Sequence, residues 1–162
     1  MKLRILFFVS VVMLPLMSAP SYAQSLTSIT ETDIHTMLNG IDRAARRGNV
    51  AGMIAPLAPD IKIKMRVLNP GSDQEEVGIL TKDDYESRAR NNMRRKLSYQ
   101  VERKNTRIKI YDNQTAMVTC EVYETLKMRE GTLRSAASAV YFLALRDGKL
   151  VITSVDARMR VY

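Results

Sequence analysis

The fold is decided by residues 133–162, LRSAASAVYFLALRDGKLVITSVDARMRVY. Asp147-Gly148 separates two apolar runs here, Leu133–Arg146 and Leu150–Tyr162, and this dipeptide between apolar runs is among the strongest local signals of a β-hairpin. The C-terminal half is therefore predicted to be a four-stranded antiparallel meander. The first two strands of the meander are Leu97–Tyr111 and Thr115–Met128, and Asp112-Asn113 joins them. Glu130-Gly131 leads from the second strand to the third.

The N-terminal half begins with a helical pattern. Ser28 and Glu31 have the spacing of a capping box, and apolar residues then recur at helical intervals, which predicts a first helix over about residues 29–47. Gly48-Asn49 ends this helix, because both residues tolerate the left-handed backbone conformation. A short second helix is predicted over Val50–Leu57.

A strand and a third helix connect this region to the meander. Asp60–Leu68 alternates apolar and polar residues, as a strand does when one face is buried, and Asn69–Asp73 has the composition of a turn. Thr81 is a predicted N-cap, and the third helix extends from there to about residue 96. Its apolar stripe is narrow, so we expect it to lie over an edge of the core.

Three stretches of sequence, together with the order of the elements, resemble the nuclear transport factor 2-like (SnoaL-like) superfamily. Ile41–Asn49 and Ile54–Ile63 are similar to its opening of helix, small turn, short helix and strand, and Asp147–Ile152 is similar to its closing strand. The resemblance implies an α+β fold in which a cone-shaped, curved antiparallel sheet packs on three N-terminal helices. It also implies a cavity between the helices and the sheet.

The first 23 residues have the organisation of a cleavable signal peptide. Lys2 and Arg4 form a positive n-region, Ile5–Met17 is an uncharged apolar run, and Ser21-Tyr22-Ala23 has small residues at the positions that signal peptidase recognises. The run of 13 residues is short for a membrane anchor, which needs roughly 20. We therefore expect an exported bacterial protein, periplasmic or secreted. Residues 24–162 would form one soluble domain without a transmembrane anchor.

Basic residues are concentrated in one part of the chain. The formal net charge is +8, and Arg88–Lys109 contains nine basic residues against Glu102 alone. Such a segment can attract an anionic lipid or polyanion surface, although a solvated helix face and strand would have the same composition. Nucleic acid is not expected as a partner, because few aromatic residues lie between the charges. The candidate patch for an anionic partner consists of Arg88, Arg90, Arg94, Arg95, Arg103 and Arg107.

Enzymes of the superfamily mostly use an Asp or a His that projects into the cavity, and the resemblance makes Asp156 and His35 the candidate catalytic bases. In the closing strand, a period of two places Asp156 on the same face as Leu150 and Ile152. The alternatives are that Asp156 pairs with Arg158 at the rim and that His35 is a helix-surface residue. The predicted cavity-lining residues are Met37, Ile41, Tyr85, Leu150, Ile152 and Ser154.

No metal or cofactor is expected. His35 and Cys120 are the single residues of their types, whereas zinc sites use three or four protein ligands. The sequence has neither a Gly-x-Ser-x-Gly elbow nor a Gly-rich phosphate-binding loop. Cys120 lies in an alternating strand pattern and is predicted to be a small buried hydrophobic residue.

A homodimer is expected through the outer face of the sheet. The third meander strand is apolar on both faces, because Val140, Phe142 and Ala144 alternate with other apolar residues. One face covers the core, and a second exposed apolar face usually marks an interface. The fourth strand is expected to add Val151, Val155, Ala157 and Met159 to the outer face.

These observations favour an exported binding or interaction module that is dimeric, non-catalytic and able to hold a small apolar ligand. One alternative is a cofactor-free isomerase, dehydratase or hydrolase that uses a cavity carboxylate. Another is a scaffold subunit of an envelope assembly. A buried carboxylate in the cavity would favour the enzyme, and a filled cavity would favour the scaffold.

Overall fold

The structure is a computed structural model that describes residues 25–71 and 74–162. The predicted signal peptide, its cleavage site and the last two residues of the predicted Asn69–Asp73 turn lie outside the described residues. The three helices are α1 (Glu31–Arg47), α2 (Val50–Ile54) and α3 (Lys82–Arg95). The six strands are β1 (Leu57–Leu68), β2 (Glu75–Leu80), β3 (Lys96–Ile110), β4 (Thr115–Met128), β5 (Gly131–Arg146) and β6 (Lys149–Val161).

The strands form one open, curved sheet in the order β2-β1-β6-β5-β4-β3. All neighbouring strands are antiparallel except β1 and β6, which are parallel. The helices pack on one face of this sheet, with α1 against β3 and α3 against β1. We call this the inner face and the opposite one the outer face. The predicted α+β class and the four-stranded meander are confirmed.

Side-chain caps fix where the long helices begin. Thr30, and not the predicted Ser28, caps α1, and Asp33 completes a capping box with it. Thr81 caps α3 as predicted, with Asp84 as its capping-box partner. Gly48 ends α1 in the left-handed conformation, at φ 72°.

The region between α1 and α3 differs from the prediction in two places. The second helix ends at Ile54 instead of Leu57, and β1 begins at Leu57, where it pairs with Ile152 of β6. The short strand β2 was not predicted. It pairs with β1 at the edge of the sheet and leaves Val77 and Ile79 exposed, so its sequence carries little signal of burial.

Among the register shifts of the sheet, a bulge in β6 and one in the middle of β3 change which of the later residues face the helices. In β6, Ile152 pairs with Leu143 but Ser154 pairs with Phe142, so Thr153 is an extra residue. In β3, Asn105 and Thr106 together lie opposite a single residue of β4, and Asn105 has a φ of 51°. One extra residue moves every later side chain of a strand to the other face.

The core lies between the inner face and α1. Ile34 and Leu38 of α1 are fully buried against Val118 of β4 and Ile152 of β6. A second, smaller cluster joins the three helices through residues such as Met53 and Ala89. A cavity lies between the helices and the inner face and is lined by residues of both clusters.

Candidate functional site

The cavity between the helices and the inner face has a volume of about 350 Å³. Its wall is largely apolar and comes from α1, α2 and α3 and from the sheet, with Met53, Leu57, Val122 and Val155 among its residues. Small-molecule sites in proteins are typically concave, apolar and of 300–1,000 Å³, with a few polar groups that fix orientation. The cavity is therefore the candidate site, and its polar groups decide what it can hold.

The first polar group in the cavity is an ion pair between Asp42 of α1 and Arg103 of β3. Arg103 donates from Nη2 to Oδ1 of Asp42 at 2.7 Å and from Nε to Oδ2 at 3.3 Å. The two side chains are only 8% and 11% exposed. Such a charge-assisted, two-pronged contact in a buried setting holds both side chains in one geometry.

Arg103 also contacts two residues of the sheet. Its Nη1 donates to the Tyr141 hydroxyl at 3.1 Å and lies 3.3 Å from Sγ of Cys120. Burial alone would lower the pKa of Arg103, but Tyr141 and Asp42 raise it well above its usual value, so the guanidinium stays charged. Burial raises the pKa of the Cys120 thiol, which therefore stays protonated.

The second polar group is centred on Glu124 of β4. The Tyr99 hydroxyl donates to Oε1 of Glu124, and the Ser135 hydroxyl donates to Oε2 at 3.0 Å. Burial and the neighbouring Glu124 raise the pKa of Tyr99 far above its usual value. Both oxygens of this carboxylate are thus engaged by hydroxyl donors from neighbouring strands.

Tyr85 of α3 is the third polar group of the cavity and differs from the others. Within the described residues, its hydroxyl has no hydrogen-bond partner. Burial, followed by the charge of Glu124, raises the pKa of Tyr85 to about 12. The hydroxyl is therefore a protonated donor at neutral pH, inside the cavity and available to a ligand.

The predicted cavity-lining residues fall into two sets. Ile41, Tyr85 and Ile152 line the cavity, whereas Met37 and Leu150 pack against the core beside it. Ser154 lies on the outer face, because the extra residue Thr153 reverses the alternation of β6.

Asp156, a predicted catalytic base, is also on the outer face. The same bulge at Thr153 is the reason. Asp156 pairs with Arg66 of β1, whose Nη2 is 2.7 Å from both carboxylate oxygens, and not with Arg158. Arg158 pairs instead with Glu75 of β2. The prediction that Asp156 faces the cavity is therefore wrong.

His35, the other predicted base, is exposed on the surface of α1. Asp42, on the same helix, is buried. Asp42 lies four residues after the buried Leu38 and three before the buried Ala45, at the edge of the apolar stripe. Only its ion pair with Arg103 makes burial at this position possible.

The six arginines of the predicted anionic-partner patch do not lie on one surface. Arg103 is in the cavity, and Arg88 is exposed where α3 borders it. Arg90 pairs with Glu86 on α3, and the bulge at Asn105 places Arg107 on the outer face. Arg94 and Arg95 are exposed in the last turn of α3.

The outer face is more polar than predicted. The bulge in β6 moves Val155, Ala157 and Met159 to the inner face, where they line the cavity. The apolar part of the outer face therefore centres on β5, where Phe142 is 42% exposed. An open depression of about 780 Å³ on this face is lined mostly by polar and charged residues, among them the Arg66–Asp156 pair.

Neither a metal site nor a membrane helix is found in the part of the chain that the structure describes. Across residues 25–71 and 74–162, no three potential metal ligands among His, Cys, Asp and Glu cluster together. No helix in these ranges is long and apolar enough to cross a membrane.

Comparison with known proteins gives matches to solved structures only, since no protein-family model and no curated protein matches the chain. A conserved protein of Planctomyces limnophilus superposes with a TM-score of 0.67 at 15% identity, over 82% of this chain and 97% of that one. An NTF2-like protein of Cytophaga hutchinsonii gives 0.61 at 16% identity, over 80% and 98%. A hexachlorocyclohexane dehydrochlorinase of Novosphingobium barchaimii gives 0.59 at 14%, over 79% and 84%. At this level of identity the likeness concerns the fold, and the chain has the fold of the nuclear transport factor 2-like superfamily.

Proposed function

We propose that this protein binds a small, largely apolar molecule in the inner cavity and does not transform it chemically. The observation that carries the proposal is the pairing of both cavity carboxylates. Asp42 is held by Arg103, and Glu124 accepts hydrogen bonds from Tyr99 and Ser135. The rest of the wall is mostly apolar. Burial of apolar ligand surface would supply the binding free energy, at roughly 25 cal/mol per Å².

An enzyme of the same fold that works by proton abstraction would need a free base in the cavity. A general base must reach the proton that it abstracts and must have a lone pair directed at it. Asp42 directs both oxygens at Arg103, while the predicted bases Asp156 and His35 lie outside the cavity. One structural neighbour is a dehydrochlorinase, so the experiments must also be able to detect catalysis.

A pair of neighbouring residues on β5 offers a sharp test of the binding site. Ala137 lines the cavity, and Ala136 lies on the opposite face of the same strand, opposite the exposed Tyr123. Ala137→Phe would fill the cavity, whereas Ala136→Phe adds the same side chain outside it. We expect butylbenzene, titrated against the protein and followed by amide NMR shifts, to bind the wild type and Ala136→Phe but not Ala137→Phe.

Equal binding by both variants would place the apolar site elsewhere and refute the proposal. Protein purified from its own host and analysed by native mass spectrometry adds a second readout. A bound molecule that is recovered unchanged after prolonged incubation supports a binder. A product that accumulates with time supports the enzyme.

We further propose that the protein acts outside the cytoplasm and as a homodimer. The n-region, apolar run and small-residue cleavage site of residues 1–23 support export. The exposed Phe142, between Val140 and Ala144 on the outer face of β5, supports a contact between two copies of the sheet. A dimer of this kind would leave the cavity free, because the cavity is on the other face.

A further inference from the structure

The hydroxyl groups of Tyr85 and Tyr141 have hydrogen-bonding capacity that the protein does not use. Tyr141 accepts a hydrogen bond from Arg103 at 3.1 Å, but within the described residues its own O–H has no acceptor. Tyr85 has neither a donor nor an acceptor partner there. No side-chain polar atom that is fully buried in the described residues lacks a partner, so the Tyr85 hydroxyl is accessible from the cavity. Two hydroxyl donors that are free to bond line one largely apolar cavity, and a ligand with an acceptor atom would use them.

The two donors reach the cavity from opposite walls. Tyr85 is on α3, on the helical side, and Tyr141 is on β5, on the sheet side, and both line the same cavity. Burial is the main cause of a raised pKa for both hydroxyls, so each keeps its proton at neutral pH. The two hydroxyls interact electrostatically, and an oxygen atom with two lone pairs placed between them could accept a hydrogen bond from each.

The charges nearby select a neutral acceptor. Arg103 is balanced by Asp42, and Arg88 is exposed at the border of the cavity. Within the described residues no salt bridge offsets the negative charge of Glu124, whose carboxylate accepts only from the Tyr99 and Ser135 hydroxyls. Glu124 acts on the Tyr85 hydroxyl electrostatically and disfavours a second negative charge there. A ligand carboxylate at the same position would meet the same repulsion.

We propose that the ligand is a neutral carbonyl compound, such as a ketone, ester or lactone on an apolar body, whose oxygen accepts hydrogen bonds from Tyr85 and Tyr141. This inference rests on the proposed binding function of the cavity and adds the class of ligand. The apolar wall holds the body of the molecule, and the two hydroxyls orient its carbonyl group.

The test uses three probes that share a phenylalkyl body: butylbenzene, 4-phenylbutan-2-one and 4-phenylbutanoate. Their dissociation constants are measured for the wild type, Tyr85→Phe, Tyr141→Phe and the control Tyr123→Phe. Tyr123 donates to Glu121 on the outer face, so the control removes a hydroxyl far from the cavity. Infrared spectra of the bound ketone add a direct measurement of hydrogen bonding to the carbonyl group.

We expect the ketone to bind more tightly than the hydrocarbon and the carboxylate. Each cavity variant should reduce the ketone-to-hydrocarbon affinity ratio by about three- to tenfold, as for the loss of one net hydrogen bond, and the control should not change it. The carbonyl stretching band of the bound ketone should lie at lower frequency than in hexane and should move back in both cavity variants.

Three results would overturn the inference. If ketone and hydrocarbon bind equally and neither Tyr85→Phe nor Tyr141→Phe changes their ratio, the cavity binds apolar molecules but does not select a carbonyl group. If the carboxylate binds most tightly, the ligand is an anion. If no probe binds the wild type, the inference and the proposed function fail together.

Discussion

The buried pair of Asp42 and Arg103 gives a quantitative prediction about stability. Arg103→Met would leave the Asp42 carboxylate in a site where it is 8% exposed, without the donors that now lie 2.7 Å and 3.3 Å from its oxygens. Breaking a buried ion pair by removing one partner costs about 3–5 kcal/mol, because the remaining charge is buried and unpaired. Asp42→Leu should cost a similar amount, since it leaves the guanidinium unpaired in the same way.

The double variant separates the pair from the individual side chains. Replacing both partners with apolar residues of similar size is often neutral or stabilising, because the desolvation penalty disappears with the charges. We therefore expect Asp42→Leu/Arg103→Met to lie within about 2 kcal/mol of the wild type. Urea denaturation of the four proteins, followed by circular dichroism, gives the coupling free energy of the cycle.

The chain contains a matched control on the other face of the sheet. Arg66 and Asp156 form an ion pair in which both carboxylate oxygens are 2.7 Å from the same nitrogen, but the side chains are 33% and 38% exposed. The double-mutant cycle of Arg66→Met and Asp156→Leu should give a coupling free energy of about 1 kcal/mol or less. If the two pairs couple equally, or if the losses at Asp42 and Arg103 simply add, burial does not determine the strength of the cavity pair.

The remaining predictions concern pH, processing and assembly. The free energy of unfolding should fall between about pH 10 and pH 12, because tyrosines of the unfolded chain ionise near pH 10 while the pKa of Tyr85 is about 12 in the folded state. The free energy of unfolding, measured by urea titration, should fall by about 2–3 kcal/mol less in Tyr85→Phe than in the wild type by pH 12. An equal fall in the two proteins would contradict the burial of the Tyr85 side chain. The exported protein should begin at Gln24 by intact-mass analysis, and a mass that retains residues 1–23 would refute the signal peptide. Sedimentation should show a dimer, and Phe142→Glu should raise its dissociation constant by at least about tenfold. Leu97→Glu, the same kind of change at another exposed apolar residue, should leave that constant unchanged. A wild type that is monomeric at micromolar concentration would rule the dimer out.

The overall fold could be predicted from sequence because its signals are local. Asp147-Gly148 forms the last hairpin turn with both residues at positive φ, and Thr81 caps α3 as its spacing indicated. The strand β2 was missed because it lies at an edge. Val77 and Ile79 are exposed there, so the usual alternation between core and solvent is absent from its sequence.

The polar groups of the site could not be predicted in the same way. Asp42 is buried only because Arg103, 61 residues later, reaches it from another element. Glu124 is paired with Tyr99 and Ser135, which come from the strands on either side of it. These contacts depend on the register between strands, and no local pattern of apolar and polar residues reports that register.

The bulges decide which side chains of β3 and β6 face the helices, and they leave no clear mark in the sequence. Without the extra residue Thr153, the period of two would place Asp156 and Arg158 on the inner face; with it, Val155 and Ala157 take those positions. The bulge in β3 also exchanges a charged residue for an apolar one, because it turns Arg107 outward and brings Ile108 into contact with the core. Arg103 precedes this bulge along the strand and keeps its inward orientation. Each bulge thus replaces charged side chains with apolar ones on the inner face. The apolar wall on which small-molecule binding depends therefore follows in part from the bulge in β6, which supplies Val155 and Ala157. The bulge in β3 adds Ile108 to the core instead, and Arg103 remains in the cavity because it precedes that bulge.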